Sequence, residues 1–221
     1  MTTKRYDIYG PIHKGLRLAH ADMLKALGRA DFTAPDDILA ALRDHLALCA
    51  KHLTHEDEHI HPALEARTHG AAAEAERQHE EHREDFERME RAMAAVERAA
   101  PADRPAAGRQ LYLTYTTFVA ADLAHMHAEE TVLFPQLCAV FTDEELAAIE
   151  MGIIASLPPE ENIAFMRLMI PAINQAERAE LLGGVKAGAP PEAFDAILRH
   201  AVRPTLGEAD LAALDRLGLA A

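Results

Sequence analysis

The stretch KHLTHEDEHIHPAL, Lys51 to Leu64, places four histidines and three acids in its first eleven residues, inside what otherwise reads as a helix. Imidazole and carboxylate together suit iron, manganese and zinc, so metal binding is the chemistry to weigh. An internal repeat thins the candidates. HLTHEDEHIHPAL (52–64) overlays HMHAEETVLFPQL (125–137) without a gap, matching His52 with His125, Glu56 with Glu129, Pro62 with Pro135 and Leu64 with Leu137. His55, His59 and His61 fall opposite Ala128, Val132 and Phe134. What the two copies share is H-x3-E, with a proline six residues after the glutamate. Residues four apart project from one helix face, so each pair can grip one cation, or the carboxylate can bridge two. A proline removes a helical hydrogen bond and clashes with the preceding turn, which predicts a kink just beyond each pair.

Four helical patterns would position these side chains. The first runs roughly from Pro11 to Arg29, with Ile12, Leu16, Ala19, Met23 and Leu27 in one stripe. The second runs from about Asp37 to Arg67, striped by Ile38, Leu42, Leu46, Cys49 and Leu53. The third spans about Ala71 to Ala99, through Phe86, Met89, Met93 and Val96, and APADRPAAG breaks it. The fourth spans about Arg109 to Val140, through Leu111, Tyr115, Phe118, Leu133 and Leu137. Short links between long amphipathic helices imply antiparallel neighbours, hence an all-α, up-down-up-down four-helix bundle whose second and fourth helices run in the same direction. Each H-x3-E then falls near mid-bundle, where facing side chains build metal sites. The first helix offers His13 and His20 as inward histidines, and the third offers His79 and His82 on its apolar face.

The rest of the composition narrows the setting. Acids outnumber bases 36 to 22, for a formal net charge of -14, which disfavours nucleic acid as a partner. No apolar run is long enough to span a membrane, and MTTKRYDIYG lacks the apolar stretch of a signal peptide. A cytoplasmic protein is expected, and its two cysteines, Cys49 and Cys138, fit a reducing compartment as inert buried thiols. There are 13 histidines, and all but His200 precede residue 128, which marks roughly the first 140 residues as chemically distinct. Beyond Phe141, TDEEL resembles a capping start, and SLPPEEN, GGVKAGAPPEA and VRPTLGEAD punctuate shorter helices. The expected domains are therefore a metal-binding bundle over 1–140 and a helical extension over 141–221, packed on the bundle or on a second subunit as a homodimer contact.

Taken together, the four helices and the pattern H…H-x3-E…H…H-x3-E-E-x2-L-F-P resemble the hemerythrin-like, HHE cation-binding domain over about residues 5 to 140. HMHAEETVLFP is the strongest match, and HKGLR fits the family's first ligand region. The resemblance implies His13, His52, Glu56, His125 and Glu129 as ligands, with Glu56 and Glu129 bridging two irons. In the third helix, members with O2-binding sites often show H-x3-H, whereas QHEEHREDF offers H-x2-H. Either one of His79 and His82 binds there, or both bind with altered geometry. His20 and His45 are expected to back the ligands or pack, and His55, His59, His61, His69 and His127 to be solvated or to back them. A ferritin-like di-iron bundle would need a glutamate in the first helix, which has none, and a histidine where Val132 stands.

A histidine-rich iron pair with an open position binds a small ligand. The leading expectation is a non-haem di-iron protein that binds O2 or another diatomic, or senses O2, iron or redox state. No nucleophile–base pair is visible, so catalysis is secondary: the alternative is a metal-dependent enzyme reducing peroxide or nitric oxide at the pair. A third reading is a bundle holding a single Zn or Fe ion, and Mn also suits the donor set.

Overall fold

Residues 5–219 are described in this computed structural model, and they fold into helices with no strand among them. The first four and last two residues of the expected domains lie outside the described residues. By their contacts the described residues divide into two compact units, one of residues 5–6 with Ala19–Ile153, the other of Asp7–Leu18 with residues 154–219.

The first unit is the four-helix bundle. It holds the later part of α1 (Gly10–Arg29), then α2 (Asp36–His55), which runs through a π turn, π1 (Glu56–Ile60), into α3 (His61–Arg67). Next come α4 (Ala73–Arg98) and α5 (Arg104–Ala128), which runs through π2 (Glu129–Leu133) into α6 (Phe134–Val140), and the first part of α7 (Asp143–Ser156). Side-chain contacts fix the directions. Arg43 near the start of α2 meets Glu97 near the end of α4, while Asp57 in π1 meets His79 near the start of α4, so the two helices are antiparallel. Gln78 bonds His125 and the rings of Phe86 and Phe118 are 5.4 Å apart, so α4 and α5 are antiparallel too. His45 faces Tyr115 and Arg67 donates to the Val140 carbonyl, so α2 and α5 run the same way.

The core follows the apolar stripes: Leu42, Leu46, Cys49, Leu53, Met89, Met93, Val96, Leu111, Tyr115, Phe118, Leu133 and Leu137 are all buried. Cys138 is only half-buried, one residue past buried Leu137 on a neighbouring face of a helix that is about to end. The fourth helix begins at Arg104, earlier than the break APADRPAAG implies, because Pro105 sits in the first turn, where no amide N–H is needed. Gly108 lets the α1–α2 loop close onto that helix. A Cβ there would stand 2.2 Å from the ring of Phe32, itself buried and held at φ 57°.

Neither matched proline opens its helix. His61 N–H donates to the Glu56 carbonyl and Phe134 N–H to the Glu129 carbonyl, five residues back. The next residue in each case is the proline, which has no N–H to offer. One surplus residue is absorbed as a π turn, and the proline becomes the first turn of a fresh α-helix. Where the sequence predicts a kink, the backbone places a π turn. A third π turn, π3 (Leu198–Val202), stands in the same register to Pro204.

In the second unit, α8 (Pro159–Ala172), α9 (Gln175–Gly188), α10 (Pro191–Ile197), π3, α11 (Arg203–Thr205) and α12 (Glu208–Asp215) enclose Met166, Ile170, Leu182, Phe194, Ile197, Leu198, Val202 and Leu214. Asn174 and Glu177 form a capping box at the start of α9. Gly183 and Gly184 lie inside α9 and Pro204 lies in α11, so the breaks fall later than those segments suggest, at Ala189 and at Leu206–Gly207. The first turns of α1 belong to this unit. Lys14 pairs with Glu177 at 2.5 Å, and Gly15 admits the backbone of Leu168, which a Cβ would meet at 2.9 Å.

Candidate metal centre

The two copies of H-x3-E come together in the bundle. Glu56 and Glu129, each 1% exposed, are the first residues of π1 and π2, on parallel helices. Four donor groups, from Glu56, His79, His125 and Glu129, have ligand atoms all within 4.8 Å of one another. Glu56 faces two ways: Oε1 lies 3.3 Å from His52 Nε2 and Oε2 lies 3.4 Å from His79 Nε2. Glu129 Oε2 lies 3.4 Å from His125 Nε2, and its Oε1 lies 4.0 Å from His79 Nε2.

The imidazoles are held from behind. His79 Nδ1–H donates to Asp57 Oδ1 at 2.7 Å, and His125 Nδ1–H donates to the Gln78 side-chain oxygen at 2.8 Å. Each ring therefore turns Nε2 inward, and the two Nε2 atoms stand 3.1 Å apart. This is the arrangement by which a carboxylate or amide orients a ligating histidine. Arg83 in turn grips the other oxygen of Asp57, at the lip of an open depression of about 580 Å³ lined also by Glu76, Arg77 and Glu80.

Two buried carboxylates side by side are costly without a cation. Burial works against a charge on His79, but the bonds to Asp57 and Glu56 prevail and lift its pKa to about 10. Burial holds His125 down to about 3, so its ring is neutral. The His79 imidazolium thus faces both acids, and a metal cation entering here would take the place of its proton. The donor set fits one.

The remaining expected residues divide. His82 is buried, with its ring 4.9 Å from that of His125, but its Nδ1–H donates to the Gln78 carbonyl at 2.7 Å and its Nε2 faces Asp122 Oδ1 at 3.1 Å. His13 lies in the other unit, buried, its ring stacked on Tyr9 at 5.0 Å. His55 and His59 are half-buried, and His69 and His127 are exposed. His61 is 1% exposed, with Nδ1 3.2 Å from Asp57 Oδ1 and its ring 4.9 Å from that of His79. The π turn brings it there, because five residues past Glu56 return to the same face only when the turn is widened.

The chain belongs to the hemerythrin HHE cation-binding family. The family's model matches residues 12–137, which include the bundle's α2 to α5 and both glutamates. No curated protein and no solved structure matches the chain.

Sequence reasoning missed three residues of this hemerythrin-like centre: Asp57, Gln78 and Asp122. A signal existed for the last. Asp122 is the sole acid between Asp103 and Glu129, in a stretch otherwise suited to burial. It is 3% exposed and held well below the usual carboxylate range, burial opposing the charge but the bonds from His20 and His82 prevailing.

Proposed function

We propose that this hemerythrin-like chain is a non-haem di-iron protein that binds or senses O2, or reports iron or redox state. The observation that carries the reading is Glu56. Its two oxygens face different imidazoles, His52 on one side and His79 on the other, as a carboxylate bridging two ions would. His125 and Glu129 add donors on the His79 side. Bound iron with an exchangeable position would supply reversible ligation of a diatomic molecule. The chain's own part is to fix the donors: Asp57 and Gln78 aim the imidazoles, and burial keeps bulk water from the carboxylates. Two free cysteines fit a reducing, cytoplasmic setting for such a protein.

A second reading has support of its own. Two nitrogens and two carboxylates within 4.8 Å of one another also describe a cage for a single Zn or Fe ion. Metal analysis of anaerobically purified protein separates the two. The di-iron reading expects two irons per chain and a ligand-to-metal absorption band on exposure to O2. One zinc per chain with no spectral response would overturn it. His125→Ala and Glu129→Ala are expected to lower metal content together.

A further inference from the structure

A second group of donors lies elsewhere in the bundle. His20, His45 and Cys49, exposed by 1%, 7% and 1%, have ligand atoms within 4.8 Å of one another. They come from two helices, α1 and α2. His45 Nε2 stands 2.9 Å from His20 Nδ1 and 3.7 Å from Cys49 Sγ. The Tyr115 hydroxyl, from α5, is 3.0 Å from the same His20 nitrogen. His20 Nε2–H donates to Asp122 Oδ2 at 2.7 Å, which turns Nδ1 toward His45 and Tyr115.

We propose that His20 Nδ1, His45 Nε2 and Cys49 Sγ form a second metal site, of the zinc type, with the Tyr115 hydroxyl at its edge. A tetrahedral zinc ion holds nitrogen at about 2.0–2.1 Å and sulfur at about 2.3 Å, so such ligands stand about 3.3 Å (N to N) and about 3.6 Å (N to S) apart. The observed 2.9 and 3.7 Å depart from this by a few tenths of an ångström. Asp122 behind His20 is the carboxylate–histidine arrangement that orients a ligand. A thiolate would offset part of the ion's charge, while the Asp122 carboxylate is shared between His20 and His82.

Donor chemistry separates this site from the first. Thiolate with imidazole selects zinc or cuprous copper, whereas the carboxylates around Glu56 suit iron and manganese. Burial pushes the Cys49 thiol well up, so ion capture must release its proton to solvent. Burial and the neighbouring His20 hold His45 at about 3, so that ring is already neutral and needs only its proton on Nδ1. The competing account is a network satisfied by hydrogen bonds alone, with Tyr115 O–H and Cys49 S–H donating to the two rings.

Cobalt(II) titration of metal-free protein tests the proposal independently of the iron centre, because only a thiolate gives a sulfur-to-cobalt charge-transfer band. The wild type is expected to show the band, Glu129→Gln to keep it, and Cys49→Ser to lose it at least ten-fold. No band in cobalt-saturated wild type, or a band that survives in Cys49→Ser, would overturn the site. X-ray absorption at the zinc edge of zinc-loaded wild type needs no variant. A sulfur neighbour is expected, and a shell of nitrogen and oxygen alone would overturn the proposal.

Discussion

Asp57 connects the buried donors to the surface. One of its oxygens holds His79 and faces His61, and the other is gripped by Arg83. Loss of such a partner typically lowers metal affinity by about 10–100-fold. Asp57→Ala should therefore weaken metal binding by about that factor in a chelator competition, while leaving the helical content unchanged. An unaltered affinity would mean that packing alone orients His79. Legibility at this scale depended on repetition. His52, Glu56, His125 and Glu129 stood out because each pair recurs at one spacing on two helices. Asp57, Gln78 and Asp122 take their part in the centre from His79, His125, His20 and His82 on other helices, and no local spacing encodes those contacts.

The helices themselves were largely legible, because apolar residues at three- and four-residue steps must share a buried face. The start of α7 bears out its capping pattern: Glu145 N–H donates to the Thr142 hydroxyl at 3.3 Å and Thr142 N–H donates to Glu145 at 2.9 Å. Arg67 adds bonds of 2.6 and 3.0 Å to the same carboxylate. Arg67, then the Thr142 amide, holds the Glu145 pKa at about 2, against an ordinary 4.5. A depressed carboxylate stabilises the fold above its ordinary pKa and loses that effect as pH falls through its folded value. Glu145→Gln should therefore lower the melting temperature at neutral pH, and the gap from wild type should close between about pH 4.5 and about pH 2. A gap that persists at pH 2 would point to packing instead. The π turns were not legible as such, since a shift from four-residue to five-residue bonding leaves no trace in hydrophobic spacing.

Across the whole chain, acids dominate, with a formal charge of -14. Repulsion of that kind weakens a compact state and is screened by salt. Raising ionic strength from about 10 mM to about 150 mM shortens the Debye length from about 30 Å to about 8 Å. The unfolding midpoint should rise over that range, and a fall would show that surface pairs such as Arg77–Glu74 outweigh the net charge. Which unit the first turns of α1 join was not legible, because it depends on Gly15 meeting the backbone of Leu168 far along the chain. One further property of the whole chain concerns its tolerance of altered length. Glu56, Glu129 and Leu198 each open a π turn six residues ahead of a proline, and the third has no H-x3-E beside it. Proline, then, rather than a cation, dictates the surplus residue. Deleting exposed Glu58 together with Pro62→Ala would return π1 to ordinary helical bonding and leave Leu64 facing inward; with Pro62 retained, its ring would strike the carbonyl of the turn before. A helix ordinarily admits no deletion without turning everything downstream to the wrong side. Among the described residues there are three positions where a codon lost together with replacement of the proline would keep the register.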